Sequence, residues 1–408
     1  MRGWKMLAVL LVLLFTASTS FAAGFRLVEA GSKAMGIGFA FTAVADDPSA
    51  IYFNPAGLTQ LQGNNIMLGA TYVRLNGAEF TGTTPLTGGA TRSETQESLD
   101  LFIPNAYYTR TTSDGYISYG IGVFSPFGLG QEYPSPSIFQ NQITKIDLQT
   151  IVINPTIAFK INEYLSVGVG IDYLYGKLNN YDTNQGIFKT HFEGTGDAWG
   201  YNFGLLLKPT KDLKVGFNYR SPFRVSVKEG DWTVSDNTTS SFPVGTTKAS
   251  VDLTLPATAA IGVAYTLDRL TLSADADWTF WSSYKELKIV NTGFPPYSVT
   301  RTKSWVDVCA VRLGAEYRVT GPLALRAGFV YDPTPTPAST MGPELPDATR
   351  MDYMLGVGYK VGAWTIDVAG MYIQKFDRTV NNQAGTQGFN GTWSGDSWLA
   401  SLDVGYKF

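Results

Sequence analysis

The sequence predicts an all-β protein: a transmembrane antiparallel β-barrel of about 14 strands, its lumen plugged by a short, partly helical hatch from the N-terminal end. Three observations predict it. From Gln62 to Phe408 apolar and polar residues alternate with period two, the pattern of strands with one apolar face. The connections between these runs alternate between tight turns and long linkers. The stretch Val44 to Leu61 belongs neither to a leader nor to a strand.

The chain starts as a leader does. Arg2 and Lys5 precede an apolar run from Met6 to Phe15, and Ser20-Phe21-Ala22 fits a small-x-small cleavage pattern. The expected division is therefore 1–22 as a cleaved signal peptide, 23–62 as the hatch and 63–408 as the barrel. Ala23 would be the first mature residue.

Within the hatch, Asp47-Pro48 and Asn54-Pro55 each read as an N-cap followed by proline at the first helical position. The stretch becomes two helical turns, too short to persist alone in water. It needs a wall. Gly24, Gly31, Gly36 and Gly38 allow the backbone to pack closely in a narrow lumen.

The wall follows in order as 65–77, 100–112, 115–125, 145–161, 165–182, 196–208, 213–230, 247–266, 270–290, 304–319, 322–332, 349–361, 363–378 and 393–408. Each is long enough for a tilted membrane strand of about 9–11 residues. The last is the clearest. Trp398, Ala400, Leu402, Val404, Tyr406 and Phe408 form one face, and Ser397, Leu399, Ser401, Asp403, Gly405 and Lys407, mostly small or charged, stand on the other. Many Tyr, Trp and Phe residues lie at strand ends, where a headgroup layer holds them. Outside the leader no run reaches about 18 apolar residues, so only a closed barrel spans a bilayer here.

The turns are Glu163-Tyr164, 209–211, 267–269, Thr320-Gly321 and Gly362, and the long linkers are 78–99, 126–144, 183–195, 231–246, 291–303, 333–348 and 379–392. Short turns on one side and long loops on the other is the outer-membrane arrangement, with both chain ends on the periplasmic side.

Composition excludes other classes. Charged residues are 16% of the chain, with 31 basic and 34 acidic. Removing Arg2 and Lys5 from the 31 leaves 29 against 34, a net charge of −5, so no basic excess is available for nucleic acid. The single cysteine, Cys309, makes no internal disulfide and reads as a small apolar filler. The single histidine, His191, falls in the fourth long loop as an ordinary loop residue, and no Gly-x-Ser-x-Gly elbow is present. There is no His/Cys cluster for a metal and no Walker loop. The sequence calls for no cofactor, metal or catalytic residue.

The sequence also resembles the FadL/TodX family of outer-membrane channels for long-chain fatty acids and aromatic hydrocarbons. The resemblance rests on Ala23-Gly24-Phe25-Arg26-Leu27, Ala45-Asp46-Asp47, Asn54-Pro55-Ala56, Ser125-Pro126-Phe127-Gly128-Leu129, Tyr219-Arg220-Ser221, Leu255-Pro256 and Phe329-Val330-Tyr331-Asp332. It implies a 14-strand barrel closed by the hatch, with a hatch motif at Asp46, Asp47, Asn54, Pro55 and Ala56. It implies that ligand lands between the third and fourth outer loops and moves to a pocket by the N-terminus. Release is then sideways into the bilayer at a kink in the third strand. The partners implied are a hydrophobic small molecule and outer-membrane lipid, with the chain acting as a single copy.

Residues fit that scheme. Phe25 and Leu27 give the hatch an apolar tip that lines a pocket or anchors the plug. Phe127, Leu129, Ile138 and Phe139 put an apolar group into the third loop, and Ile187, Phe188 and Phe192 into the fourth. An exposed patch of this kind marks a binding surface, unless the two loops pack on each other. Gly120 and Gly122 suit a kink in the third strand. Arg220, Arg312, Arg318 and Arg326 are expected to point inward and pair with plug or wall acids such as Asp46 and Asp47, the alternative being a grip on a ligand carboxylate. Two other readings compete: an outer-membrane esterase or lipase using His191, and a general porin or adhesin barrel.

Overall fold

The computed structural model describes residues 24–236, 238, 244–295, 298–382 and 388–408. The expected leader, its cleavage site and Ala23 lie outside the described residues. Fourteen antiparallel strands close on themselves. They are β1 (Asn64–Leu75), β2 (Leu99–Thr111), β3 (117–132), β4 (Lys145–Lys160), β5 (Leu165–Asn184), β6 (Lys189–Leu207) and β7 (213–235). They continue as β8 (245–267), β9 (270–291), β10 (299–318), β11 (Leu323–Asp332), β12 (Arg350–Val361), β13 (Trp364–Lys375) and β14 (Asp396–Lys407). The closing pair is β1 with β14, in register at Leu68 and Val404. The expected strands and their number agree with this wall.

The alternation is inside out relative to a water-soluble sandwich. Phe102 and Leu355 are 71% exposed, whereas Asp172 and Asp403 on the inner face are 0% and 1% exposed. An apolar outer band with a polar interior is stable only where lipid is the outer solvent. The rings of Trp364 and Tyr406 pack at 4.5 Å and those of Tyr372 and Trp398 at 4.3 Å, both tilted, one pair toward each end of the last hairpin.

Five strands are interrupted. β3 breaks at 125–127, β7 at 221–222, β8 at 256–257, β9 at 280–285 and β10 at 303–307. Pro126, Pro222 and Pro256 stand at three of these breaks, where a residue without an N–H ends a ladder. Gly120 and Gly122, expected to form the kink, lie instead in unbroken ladder, opposite Thr109 and Tyr107. A Cβ on either would run into Ile51 of the plug, at 3.1 and 2.9 Å. They are clearance for the hatch, and the break lies a few residues further on.

The linkers also differ from expectation in two places. β5 and β6 extend so far that only 185–188 connects them, which places Phe192 and His191 on a strand rather than in a loop. The second half of β3, Gly128–Glu132, occupies what was expected as the start of the third loop, so Leu129 is a wall residue. Beyond the barrel rim the connections 76–98 and 376–395 build a four-stranded sheet from Glu79–Thr83, Arg92–Thr95, Arg378–Asn381 and Asn390–Ser394.

The segment 24–62 lies inside the barrel. It contains α1 (Ser32–Gly36), α2 (Ala50–Phe53) and a 3-10 turn, Pro55–Gln60. Most of its backbone is irregular, and at membrane depth its N–H and C=O groups need partners. The inner face of the wall supplies them. Tyr107 donates to Ala30 O at 2.8 Å, Asn202 to Ile51 O at 3.1 Å, and Asp403 accepts from Ser32 N at 2.5 Å. This is why Asn, Tyr and Asp recur on the inward positions of the strands.

Candidate functional site

Asn54 joins the plug to the wall. It is fully buried, and its side-chain oxygen accepts from Ala56 N at 3.2 Å, capping the 3-10 turn that Pro55 begins. Its amide donates to Thr42 O at 2.7 Å and to Leu205 O of β6 at 2.9 Å. Only an amide both accepts and donates in this way. Gly168 and Gly204 leave room: a Cβ on Gly168 would meet Ala56 N at 2.5 Å, and one on Gly204 would meet the Asn54 oxygen at 2.1 Å. Asp47 departs from the expected cap. α2 starts at Ala50, and the Asp47 carboxylate accepts from Ser49 N at 2.8 Å and Ser49 Oγ at 2.5 Å in the preceding turn. Asp46 pairs with Lys33, also of the plug, at 2.7 Å. Burial opposes its ionisation, but Lys33 and Lys214 hold its carboxyl down at about 2. Burial pushes the Asp47 carboxyl up to about 7.

Three of the expected inward arginines are buried among acids. Arg220 pairs with Asp172 and donates to Tyr52 O, with its guanidinium 5.1 Å from the Phe124 ring centre. Arg312 reaches Asp277 at 2.7 Å, and Arg326 bonds Glu316 and Asp367 at 2.8 and 2.6 Å. Arg318 shares the inward face of Arg312 and Glu316 and borders plug residues Val44 and Asp46, but it lies at the rim that bears the short turns, where its side chain is 60% exposed and 3.8 Å from Glu316. Other inward cations were not singled out from the sequence, Arg26 and Arg350 among them. Arg26 of the plug grips Asp277 at 2.8 and 3.0 Å, and Arg350 of β12 bonds Asp332 at 2.6 Å. The Arg26 signal was present in the Phe25-Arg26-Leu27 triplet, where a charge flanked by apolar residues needs a partner.

The plug's first residues lie along the break in β3. Leu27 N donates to Pro126 O at 2.8 Å and Gly128 N to Phe25 O at 3.0 Å. A Cβ on Gly128 would sit 2.9 Å from Leu27. In the wall beside this contact the β2–β3 ladder is incomplete. It ends at the pair Ala106–Val123, while Leu99–Asn105 of β2 pair only with β1. The opening is bounded at its far end by Glu97 N donating to Glu132 O at 2.8 Å.

Phe25 itself is buried in an aromatic box. Its ring centre lies 4.8 Å from Trp281, 5.7 Å from Tyr284, 5.7 Å from Trp305 and 6.2 Å from Phe127. On one side it borders an apolar cavity of about 70 Å³, walled by Leu129, Leu148, Val225, Leu255 and Tyr284 among others. The cavity lies between the plug and the apolar core of the outer loops. The box was missed in the sequence because Trp281, Tyr284 and Trp305 stand on two strand breaks that look unremarkable in a linear pattern.

A scan against family models matches residues 13–408 to "Outer membrane protein transport protein (OMPP1/FadL/TodX)". The chain belongs to this family. It is 27% identical over 444 residues to a long-chain fatty acid transport protein of Escherichia coli, covering 98% of each chain. Among solved structures, a Pseudomonas aeruginosa FadL homologue superposes with a TM-score of 0.78 at 21% identity, covering 95% of this chain and all of that one. The Pseudomonas putida toluene transporter TodX superposes at 0.72 with 19% identity and coverage of 95% and 100%. This family member is thus an outer-membrane β-barrel, as its inverted surface already required.

The loop residues expected to form an exposed patch are arranged differently. Phe127 is 2% exposed in the β3 break, and Phe139 and Phe192 are 0% exposed. Phe139 packs on Phe80, Phe389 and Trp393, and Phe192 on Trp232. The outer loops have a core of their own because the four-stranded sheet lays Phe80 and Trp393 over the third loop. Ile138 and Phe188 are half-buried, and Asn184 N donating to Gln140 O at 2.7 Å draws their two connections together.

Proposed function

We propose that this protein is a passive outer-membrane channel for hydrophobic small molecules, long-chain fatty acids or aromatic and aliphatic hydrocarbons. The observation that carries the reading is the pairing of the apolar cavity at Phe25 with an unladdered stretch of wall at β2–β3, separated by plug residues 25–27. Residues 1–22 act as a cleaved leader, 23–62 as the hatch and 63–408 as the barrel. One copy acts alone in outer-membrane lipid.

Ligand first meets the outer loops near Ile138 and Phe188, then enters the cavity beside Phe25 and Leu129. Withdrawal of Phe25 and Leu27 from Pro126 and Gly128 connects the cavity to the β2–β3 gap, and ligand leaves sideways. The alternative, descent through the lumen, would take an apolar molecule past the Arg26, Arg220, Arg312 and Arg350 ion pairs, where it displaces polar contacts and makes none in return. Relatives titled as long-chain fatty acid transport proteins and toluene transporters support the cargo class.

The test is uptake of a hydrophobic tracer into vesicles carrying the folded barrel. Asn54→Ala and Phe25→Ala should each lower uptake while the barrel still inserts; unchanged uptake in both would sink the hatch mechanism. Passage of glucose-sized solutes would favour a general porin. As for the esterase reading, His191 Nδ1 is 2.6 Å from Asp182, and among the described residues no serine hydroxyl bonds His191. Ester turnover lost on changing His191 would revive it.

A further inference from the structure

The cavity beside Phe25 has one polar feature that the channel reading leaves without a role. No charged side chain lines it. Of its three polar side chains, Thr150 donates its hydroxyl to Phe127 O at 2.6 Å and the Tyr181 hydroxyl is engaged by Arg301. Tyr284 is the third. It is 7% exposed, its ring is held against Phe25 and Trp305, and its hydroxyl has no hydrogen-bond partner among the described residues. A buried hydroxyl usually finds a partner, since leaving it without one is unfavourable. Of the cations nearby, Arg26 is held by Asp277 and Lys303 by Glu344, while Arg301 is engaged by the Tyr181 hydroxyl and is not among the residues that line the cavity.

We propose that the cavity takes an uncharged, largely apolar molecule bearing one hydrogen-bonding oxygen, such as an alcohol, phenol or ketone, and that the Tyr284 hydroxyl recognises that oxygen. The inference rests on the channel reading and narrows its cargo. A carboxylate entering the cavity would lose its hydration and meet no cation in the lining, which burial penalises heavily. A pure hydrocarbon enters but leaves Tyr284 without a partner. A site built around one hydrogen bond discriminates against ligands that lack it.

The experiment uses the full barrel in detergent and three probes on one ring: toluene, p-cresol and p-toluate at neutral pH. Binding is read by calorimetry, and vesicle uptake of toluene is measured alongside. The expected order is p-cresol tightest, toluene weaker by a factor of roughly 3–10, the worth of one net hydrogen bond, and p-toluate not bound. Tyr284→Phe should bring the p-cresol-to-toluene affinity ratio close to one. p-Toluate binding as tightly as p-cresol, or a ratio unmoved by Tyr284→Phe, overturns the proposal. If the preference holds while toluene uptake is absent, the channel reading fails and the site assignment stands. If uptake is present without the preference, only the site assignment fails.

Discussion

Arg26 of the plug and Asp277 of β9 form a two-pronged ion pair, 2.8 and 3.0 Å, that ties the first described residues of the plug to the wall. Asp277 also holds Arg312 at 2.7 Å, so one carboxylate anchors a plug cation and a wall cation together. Removing one partner of a buried pair leaves the other charge uncompensated, at about 3–5 kcal/mol. Asp277→Ala strands two arginines and Arg26→Ala strands none, because Asp277 keeps Arg312. The expected outcome is a plug loosened more by Asp277→Ala than by Arg26→Ala. Single-channel conductance in planar bilayers checks it, with open events more frequent in the first variant.

Clearance at Gly168 makes a second prediction. A side chain there would collide with the backbone of Pro55 and Ala56, whereas the ladder partner of Gly168 on β6 is another glycine, Gly204. Gly168→Val is therefore compatible with a strand but not with a seated hatch. The barrel should insert and keep its heat-modifiable mobility, while amides of 54–60 exchange faster with deuterium. Normal protection of those amides would show that the plug accommodates the added group.

The β2–β3 gap can be closed on demand. A Cβ at Gly130 would lie 3.4 Å from the Leu101 side chain across the gap. Leu101→Cys with Gly130→Cys, in a background where Cys309 is Ser, should cross-link on oxidation. Tracer uptake should fall when the bond forms and return with reductant. Full uptake through the cross-linked barrel would rule out exit at this gap.

Hatch docking should depend on pH through Asp47. Its carboxyl rises on burial from the ordinary 3.8 to about 7, so the docked hatch holds this proton more tightly than the free segment. The stabilising contribution is complete below the ordinary value and is lost as pH rises through about 7. Asp46 works in the opposite sense: lowered to about 2, it stabilises docking above 3.8 and stops doing so only in strong acid. Between about pH 5 and pH 8 Asp47 contributes a change of this sign and Asp46 contributes none. Exchange of amides 46–53 should quicken over that range in the native chain and quicken less in Asp47→Asn.

The barrel and the plug were legible because both depend on short-range order. Period-two alternation in 393–408 places Ser401 and Asp403 on one face and Trp398 and Leu402 on the other, whatever the strand pairs with. Asn54-Pro55 specifies a capped turn from adjacent residues alone. The kink was misplaced because glycine in a strand has two uses, bending the ladder or admitting a neighbour. Only the position of Ile51 against Gly120 and Gly122 decides between them.

What the sequence by itself determined is the strand set, the inside-out polarity and the presence of a capped turn that needs a wall. Each follows from neighbours within a few positions along the chain. Tertiary structure decided that Phe139 and Phe192 are interior rather than exposed, that Asp277 serves Arg26, and that Phe25 and Tyr284 share one wall of a cavity. Those facts join residues 40 to 259 positions apart, and the closure of the barrel, which no local pattern encodes, sets their distances.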